Sequence, residues 1–243
     1  MKTKILKLSI VKKIILSLLI IIPIISSAQE EVTWDYPVKP GSEEWKSFQS
    51  SAEMVEACQI PNDILHALST DDLLNLCLRY PMFLDIHFAN NIQDGLDIII
   101  PRFNGFVELY KRINCSEVLM DRYFKETPGD VKEKKNNNTM TLFYLELLIS
   151  QEHVLAQLDK SQRNKLFKEA LKKSNIKRAK KYSTYYELGS ALILSRLLNS
   201  SNMKNKIDSD MWLKQFSKRG MLIDSDKVSK IANIAQEYVE KNE

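Results

Sequence analysis

Helix-opening signatures recur along this chain, and they constrain its fold more than any other feature. Ser50-x-x-Glu53, Ser69-x-x-Asp72, Asp159-x-x-Gln162 and Thr184-x-x-Glu187 each precede a run with apolar residues at helical spacing. In such a box the first side chain accepts a bond from a free N–H of the first turn, and the fourth residue reaches back to return it. Runs rich in β-branched residues, which strands need, are nearly absent after residue 28, and Ile98-Ile99-Ile100 is the one short candidate strand. The predicted fold class is therefore all-α, a compact helical array or bundle.

The Ser50 signature predicts a helix that buries Met54, Val55 and Cys58 and stops at Pro61. The Ser69 signature predicts one with Leu73, Leu74, Cys77 and Leu78 on its inner face, stopped by Pro81. Phe103-Asn104-Gly105 reads as a turn before a helical piece over Val107 to Ile113. Pro61, Pro81 and Pro101 stand at equal intervals, each after an apolar residue, which fits a small helical repeat or a coincidence of helix lengths. Val32 to Gly41, twice interrupted by Pro, predicts an extended lead-in packed through Trp34 and Tyr36.

In the second half, Thr139 to Leu158 is apolar almost all round, relieved by Glu146 and by Gln151-Glu152-His153. A helix greasy on every side is buried centrally, and these polar residues make a membrane span costly. Leu166, Phe167, Ala170 and Leu171 share one face of the helix capped by Asp159. After Thr184, the small residues Gly189, Ser190 and Ala191 let helices approach closely. Asp224 to Glu240 closes the chain as an amphipathic helix with Val228, Ile231, Ile234, Ala235 and Tyr238 inward.

Residues 1–28 have the order of a secretory leader. Five lysines come first, then an apolar run over Ile14 to Ile25, then Ser26-Ser27-Ala28 with small residues where a signal peptidase reads. The expected cleavage lies between Ala28 and Gln29. The apolar run is too short to cross a ~30 Å hydrocarbon core as a helix. The mature chain, 29–243, therefore carries no expected transmembrane span, and its expected location is periplasmic or extracellular.

The leader also accounts for the basic balance. The full chain has a formal charge of +4, but beyond the leader acids outnumber bases by one. No argument for nucleic acid remains. Within the mature chain, residues 29–131 hold 18 acids and 8 bases, whereas 132–243 hold 13 acids and 22 bases. The sign changes in a polar stretch after Thr127-Pro128-Gly129. This predicts either an acidic helical subdomain (29–131) and a basic one (132–243), or one domain with a long surface loop.

The basic half concentrates its charge in Lys165, Lys168, Lys172, Lys173, Lys177, Arg178, Lys180 and Lys181, with Glu169 the only acid among them. Three readings stay open: a patch for an anionic polymer or an acidic envelope protein, a solvated helix face, or a surface docked on the chain's own acidic half. Chemistry-bearing motifs are otherwise sparse. No Gly-x-Ser-x-Gly elbow, phosphate-cradling Gly loop or metal-ligand spacing is present, so no catalytic residue, metal or cofactor is assigned. His87 reads as a core or half-buried histidine. Cys58, Cys77 and Cys115 read as buried thiols, since Cys58 and Cys77 sit on apolar helix faces and no Cys-x-x-Cys pair exists.

Pro40-Gly41-Ser42-Glu43-Glu44-Trp45, Gln59-Ile60-Pro61, Ser69-Thr70, Tyr80-Pro81 and Phe103-Asn104-Gly105 together resemble a group of exported bacterial proteins. The resemblance covers about residues 35–112 and implies export but no activity and no site residue. The expected function is a binding or scaffolding role at the cell envelope, the alternative being a hydrolase of envelope polymers. A deep pocket with facing carboxylates, or a carboxylate beside His87, would favour the hydrolase. A shallow groove lined by exposed basic or apolar residues would favour binding.

Overall fold

The computed structural model describes residues 33–129, 138–221 and 225–242. The leader of residues 1–28, its cleavage point at Ala28 and Gln29, and the change of charge sign over 130–137 lie outside the described residues. Residues 33–243 cluster as one unit. Among the described residues there are fourteen α-helices, two 3-10 helices and no strand, and the fold is all-α. No described helix is long and apolar enough to cross a membrane.

The first half is a run of short helices: α1 (Glu43–Ser47), α2 (Ser51–Ala57), α3 (Asn62–Ala67) and α4 (Thr70–Leu78), then α5 (Ile92–Ile99), α6 (Asn104–Lys111) and α7 (Cys115–Lys125). Ser50 and Ser69 cap α2 and α4 through hydrogen bonds from the N–H of Glu53 and Asp72. Leu73, Leu74, Cys77 and Leu78 are buried as the spacing predicts, whereas Met54 and Val55 stay half-buried because α2 is a peripheral helix. The candidate strand at Ile98–Ile100 is instead the end of α5 and the start of a 3-10 turn, where Ile99 is buried, Ile100 half-buried and Ile98 exposed.

Phe103-Asn104-Gly105 opens α6 rather than forming a free turn. Asn104 clamps the loop before α3, accepting from the Ile60 N–H at 3.0 Å and donating to the Ile60 carbonyl at 2.7 Å. Phe103 stacks on Tyr80 at 4.3 Å, and Tyr36 of the lead-in packs on both rings with its hydroxyl on the Leu76 carbonyl. Several residues that carry the resemblance, Gln59-Ile60, Tyr80 and Phe103-Asn104, therefore meet in one scaffold knot.

The second half comprises α8 (Asn138–Ile149), α9 (Glu152–Gln157), α10 (Lys160–Ala179), α11 (Thr184–Asn199), α12 (Lys204–Asp208), α13 (Met211–Arg219) and α14 (Ser225–Asn242). The predicted single helix over Thr139 to Leu158 breaks at Ser150–Gln151, where a distant arginine takes the Ser150 carbonyl. Asp159 forms a complete capping box with Gln162 on α10. The box predicted at Thr184 is absent: Ser183 occupies the cap and makes no side-chain cap bond.

Helix α11 is the axle of the fold, packed against α8, α10, α12, α13 and α14, with every residue from Glu187 to Leu198 buried. Gly189 permits the closest approach, because a Cβ there would lie 2.4 Å from Glu146 Oε2 and 2.6 Å from Glu146 Cβ. The halves also pack on each other. Helix α7 lies on α8 and α9, α5 lies on α13, and Phe83 stacks on Tyr144 at 3.9 Å.

Candidate functional site

The basic stretch on α10 does not form one exposed face. Lys173 and Lys177 are each only 1% exposed, because α10 turns this side toward α7, α8 and α11. Lys177 Nζ pairs with Glu146 Oε2 at 2.6 Å and donates to the Tyr186 carbonyl and to Ser190 Oγ. Ser190 in turn donates to Glu146 Oε1 at 2.6 Å. Burial pushes the Lys177 ammonium below its usual pKa, and Glu146 opposes that shift.

Lys173 donates to the Glu126 carbonyl and to Glu169 at 2.8 Å, with its ammonium 4.8 Å from the centre of the Tyr123 ring. Partial burial acts to raise the Glu169 carboxyl, but Lys173 and Lys172 outweigh it and hold the group below its usual value. Lys180 reaches the carbonyls of Pro128 and Gly129, Arg178 bonds Asn175, and Lys172 stands 3.4 Å from Glu169. Lys165, Lys168, Lys172, Lys180 and Lys181 are exposed. Lys173 and Lys180 thus tie this helix to the end of the acidic half.

Other single residues lead away from nucleophilic chemistry. Cys58, Cys77 and Cys115 are buried free thiols, and burial lifts Cys58 to about 11 and Cys115 to about 12. Thiols held that far from ionisation are poor nucleophiles. His87 lies at the surface rather than in the core, its ring against Tyr185 with the hydroxyl 2.6 Å from Nδ1. Among the described residues, no three His, Cys, Asp or Glu side chains converge as a metal site requires.

The arrangement with most chemical content gathers around Arg196, in the last turn of α11. Its guanidinium is almost wholly buried and has no carboxylate at ion-pair distance among the described residues. Instead Nη1 donates to the carbonyl of Ser150, just past α8. Nε and Nη2 donate to the carbonyls of Ser217 and Lys218 in the last turn of α13. One cation therefore satisfies the ends of two helices, where the aligned peptide dipoles are negative. Burial pushes this group down to about 10, with Glu152, Asp97 and Tyr110 opposing, so it stays charged at neutral pH.

Arg196 Nη2 also donates to Gln93 Oε1 at 2.6 Å, and the Gln93 amide passes on to Asp97 at 2.7 Å and Gln151 at 3.0 Å. This network floors a cavity of about 580 Å³ whose rim holds Asp97, Glu152, His153, Lys218 and Arg219. Arg219 is committed to Asp94 at 2.6 Å, which fastens α13 to α5. His153 lies edge-on to Tyr110 at 4.3 Å, and the water excluded from its packed face pushes the imidazole below its usual pKa.

Two further cavities continue the first. A smaller one of about 210 Å³ shares Glu152 and Arg196 with it and adds Arg163 and Asn199. A third of about 490 Å³ shares Arg163 and Ser200 with the second and ends at Lys160, Phe167 and Tyr238. The three run in series from α5 and α13, past α9 and the end of α11, to α10 and α14. Five basic side chains line them (Lys160, Arg163, Arg196, Lys218 and Arg219) against two acidic ones, Asp97 and Glu152. Arg163 caps α9 through Nε on the Leu158 carbonyl at 3.0 Å, and its terminal nitrogens make no hydrogen bond among the described residues.

Sequence reasoning marked Gln151-Glu152-His153 only as polar relief on an apolar helix, and it missed Arg196, Gln93 and Arg163. The available signal was that polar interruption, which is where α8 ends and the groove begins. Comparison with protein-family models, curated proteins and solved structures returned no match.

Proposed function

We propose that this protein is a binding protein of the cell envelope whose groove holds an extended anionic ligand. The observation that carries the reading is the series of three adjoining cavities lined by five cations and two carboxylates. A cleft of one dominant sign concentrates ligands of the other sign, and arginine adds paired donors that match a carboxylate or phosphate. Arg163 supports this, since its terminal nitrogens make no hydrogen bond among the described residues. The envelope location rests on the leader read from residues 1–28 and on the resemblance of residues 35–112 to exported proteins.

Titration of the 29–243 chain with polyacrylate and with inorganic polyphosphate tests the reading. Binding should weaken as salt shortens the Debye length below ~8 Å, and it should be lost when Lys160, Arg163 and Lys218 are replaced by Ala. Retention of full binding by that triple variant overturns the groove as the site. Loss on changing Lys165, Lys168, Lys172 and Lys181 instead moves the site to the face of α10.

A hydrolytic reading is favoured by one feature: Asp97 and Glu152 line the same cavity beside His153. Carboxylate pairs cleave glycosidic bonds when one donates a proton and the other attacks or activates water. Release of reducing ends from an envelope polysaccharide, abolished by Asp97→Asn or Glu152→Gln, would establish it.

A further inference from the structure

The groove contains more than a polyanion needs. Cations alone would hold a polyanion, yet Asp97 and Glu152 stand among them and repel it. An ionised carboxylate only accepts hydrogen bonds, so these two positions need a ligand that donates. Asp97 takes one bond from Gln93, and Glu152 is exposed at the junction of the first two cavities. Farther along, the amides of Asn164, Asn199 and Asn202 line the groove and make no hydrogen bond among the described residues. Each presents both a donor and an acceptor, the pattern that a hydroxyl group matches at either end.

The far cavity adds an apolar ledge. The ring of Tyr238 lies 4.8 Å from that of Phe167, beside Leu158 and Leu197. A sugar ring presents C–H groups on its face and hydroxyls at its edge, so it suits such a ledge with Asn164 and Asn202 at the border. An acidic peptide suits it less, since peptide grooves are read through a strand edge or a row of apolar anchors. No strand edge exists among the described residues, and of the residues lining the three cavities the phenylalanine and tyrosine rings lie only at this end.

We propose that the groove binds an acidic polysaccharide, its uronate carboxylates on Arg163 and Lys218 and its hydroxyls on Asp97, Glu152 and the asparagine amides. This rests on the binding reading above and names its ligand class. The decisive measurement gives opposite signs for the two ligand chemistries. The 29–243 chain is titrated with oligogalacturonate and with polyacrylate of matched charge, each against the wild type and the Asp97→Ala/Glu152→Ala variant.

Oligogalacturonate should bind the wild type more tightly than polyacrylate. The variant should lose about tenfold or more for oligogalacturonate, because two hydrogen bonds to charged groups are removed and the repulsion relieved offsets only part of that loss. For polyacrylate the same variant should bind more tightly, because two repelling charges are gone. Both residues are exposed, and Asp97→Leu/Glu152→Met, which keeps side-chain bulk but cannot accept a hydrogen bond, repeats the test should the first variant misfold. Equal affinity for the two polymers, or tightening of both in the variant, overturns the polysaccharide and leaves the polyanion groove standing. Failure of every polyanion to bind overturns both.

Discussion

Lys177 and Glu146 meet where no solvent reaches, and the bonds that make this tolerable come from four different helices. Glu146 comes from α8, Lys177 from α10 and Ser190 from α11, with the Tyr123 hydroxyl of α7 at 3.4 Å. A buried pair of this kind adds little net stability, but removing one partner leaves the other charge uncompensated. Lys177→Ala should therefore cost about 3–5 kcal/mol in urea unfolding. Lys177→Met combined with Glu146→Leu should recover much of that loss, since the double variant leaves no orphan charge. A double variant as unstable as the sum of the singles would mean that the pair is not coupled. None of this was legible in the local sequence, where Lys177 differs in no way from its seven basic neighbours. Its partners are 31 and 13 residues away, so only the packing of α10 distinguishes it.

At the scale of elements, legibility follows the range of the interaction. The caps at Ser50, Ser69 and Asp159 were readable because donor and acceptor lie three residues apart. The end of α8 was not, because the group that takes the Ser150 carbonyl is Arg196, 46 residues on. For the same reason the groove was invisible, its floor being assembled by α5, α8, α11 and α13. Helix α10 shows the limit of reading charge along a sequence. Its lysines follow one another evenly, yet one side faces water and the other faces Glu146, Glu169 and the Glu126 carbonyl.

Charge reversal should therefore split by side. Lys165, Lys172 and Lys181 changed together to Glu should shift the melting temperature by only a few degrees, since exposed pairs are worth about 0–1 kcal/mol. Lys173→Glu alone should prevent stable folding, because it buries a carboxylate against Glu169 and a carbonyl. Comparable melting temperatures for the two variants would show that α10 is not two-sided in solution.

For the whole molecule, the open question is whether the acidic and basic halves unfold together. Their charges differ enough to suggest two bodies, but the contacts across the divide are numerous in kind. Arg196 bonds Gln93, Arg219 bonds Asp94, Ser116 bonds Gln157, and Lys173 and Lys180 hold the backbone after α7. Apolar packing of α7 on α8, and of Phe83 on Tyr144, joins the same halves. A small single domain unfolds in one step when its parts stabilise one another, and then probes in different places report one transition. The tryptophans allow that comparison. Trp34 packs edge-on to Tyr36 in the acidic half, and Trp212 stacks on Phe216 in the basic half. A chain retaining only Trp34 (Trp45→Phe, Trp212→Phe) and one retaining only Trp212 (Trp34→Phe, Trp45→Phe) should give urea curves with the same midpoint and slope. Raising the salt concentration should move the two curves by the same amount, since the joints that salt weakens belong to both halves. Separate midpoints, drawn further apart by salt, would make residues 130–137 a true domain boundary and the cross-divide lysines a weak electrostatic dock.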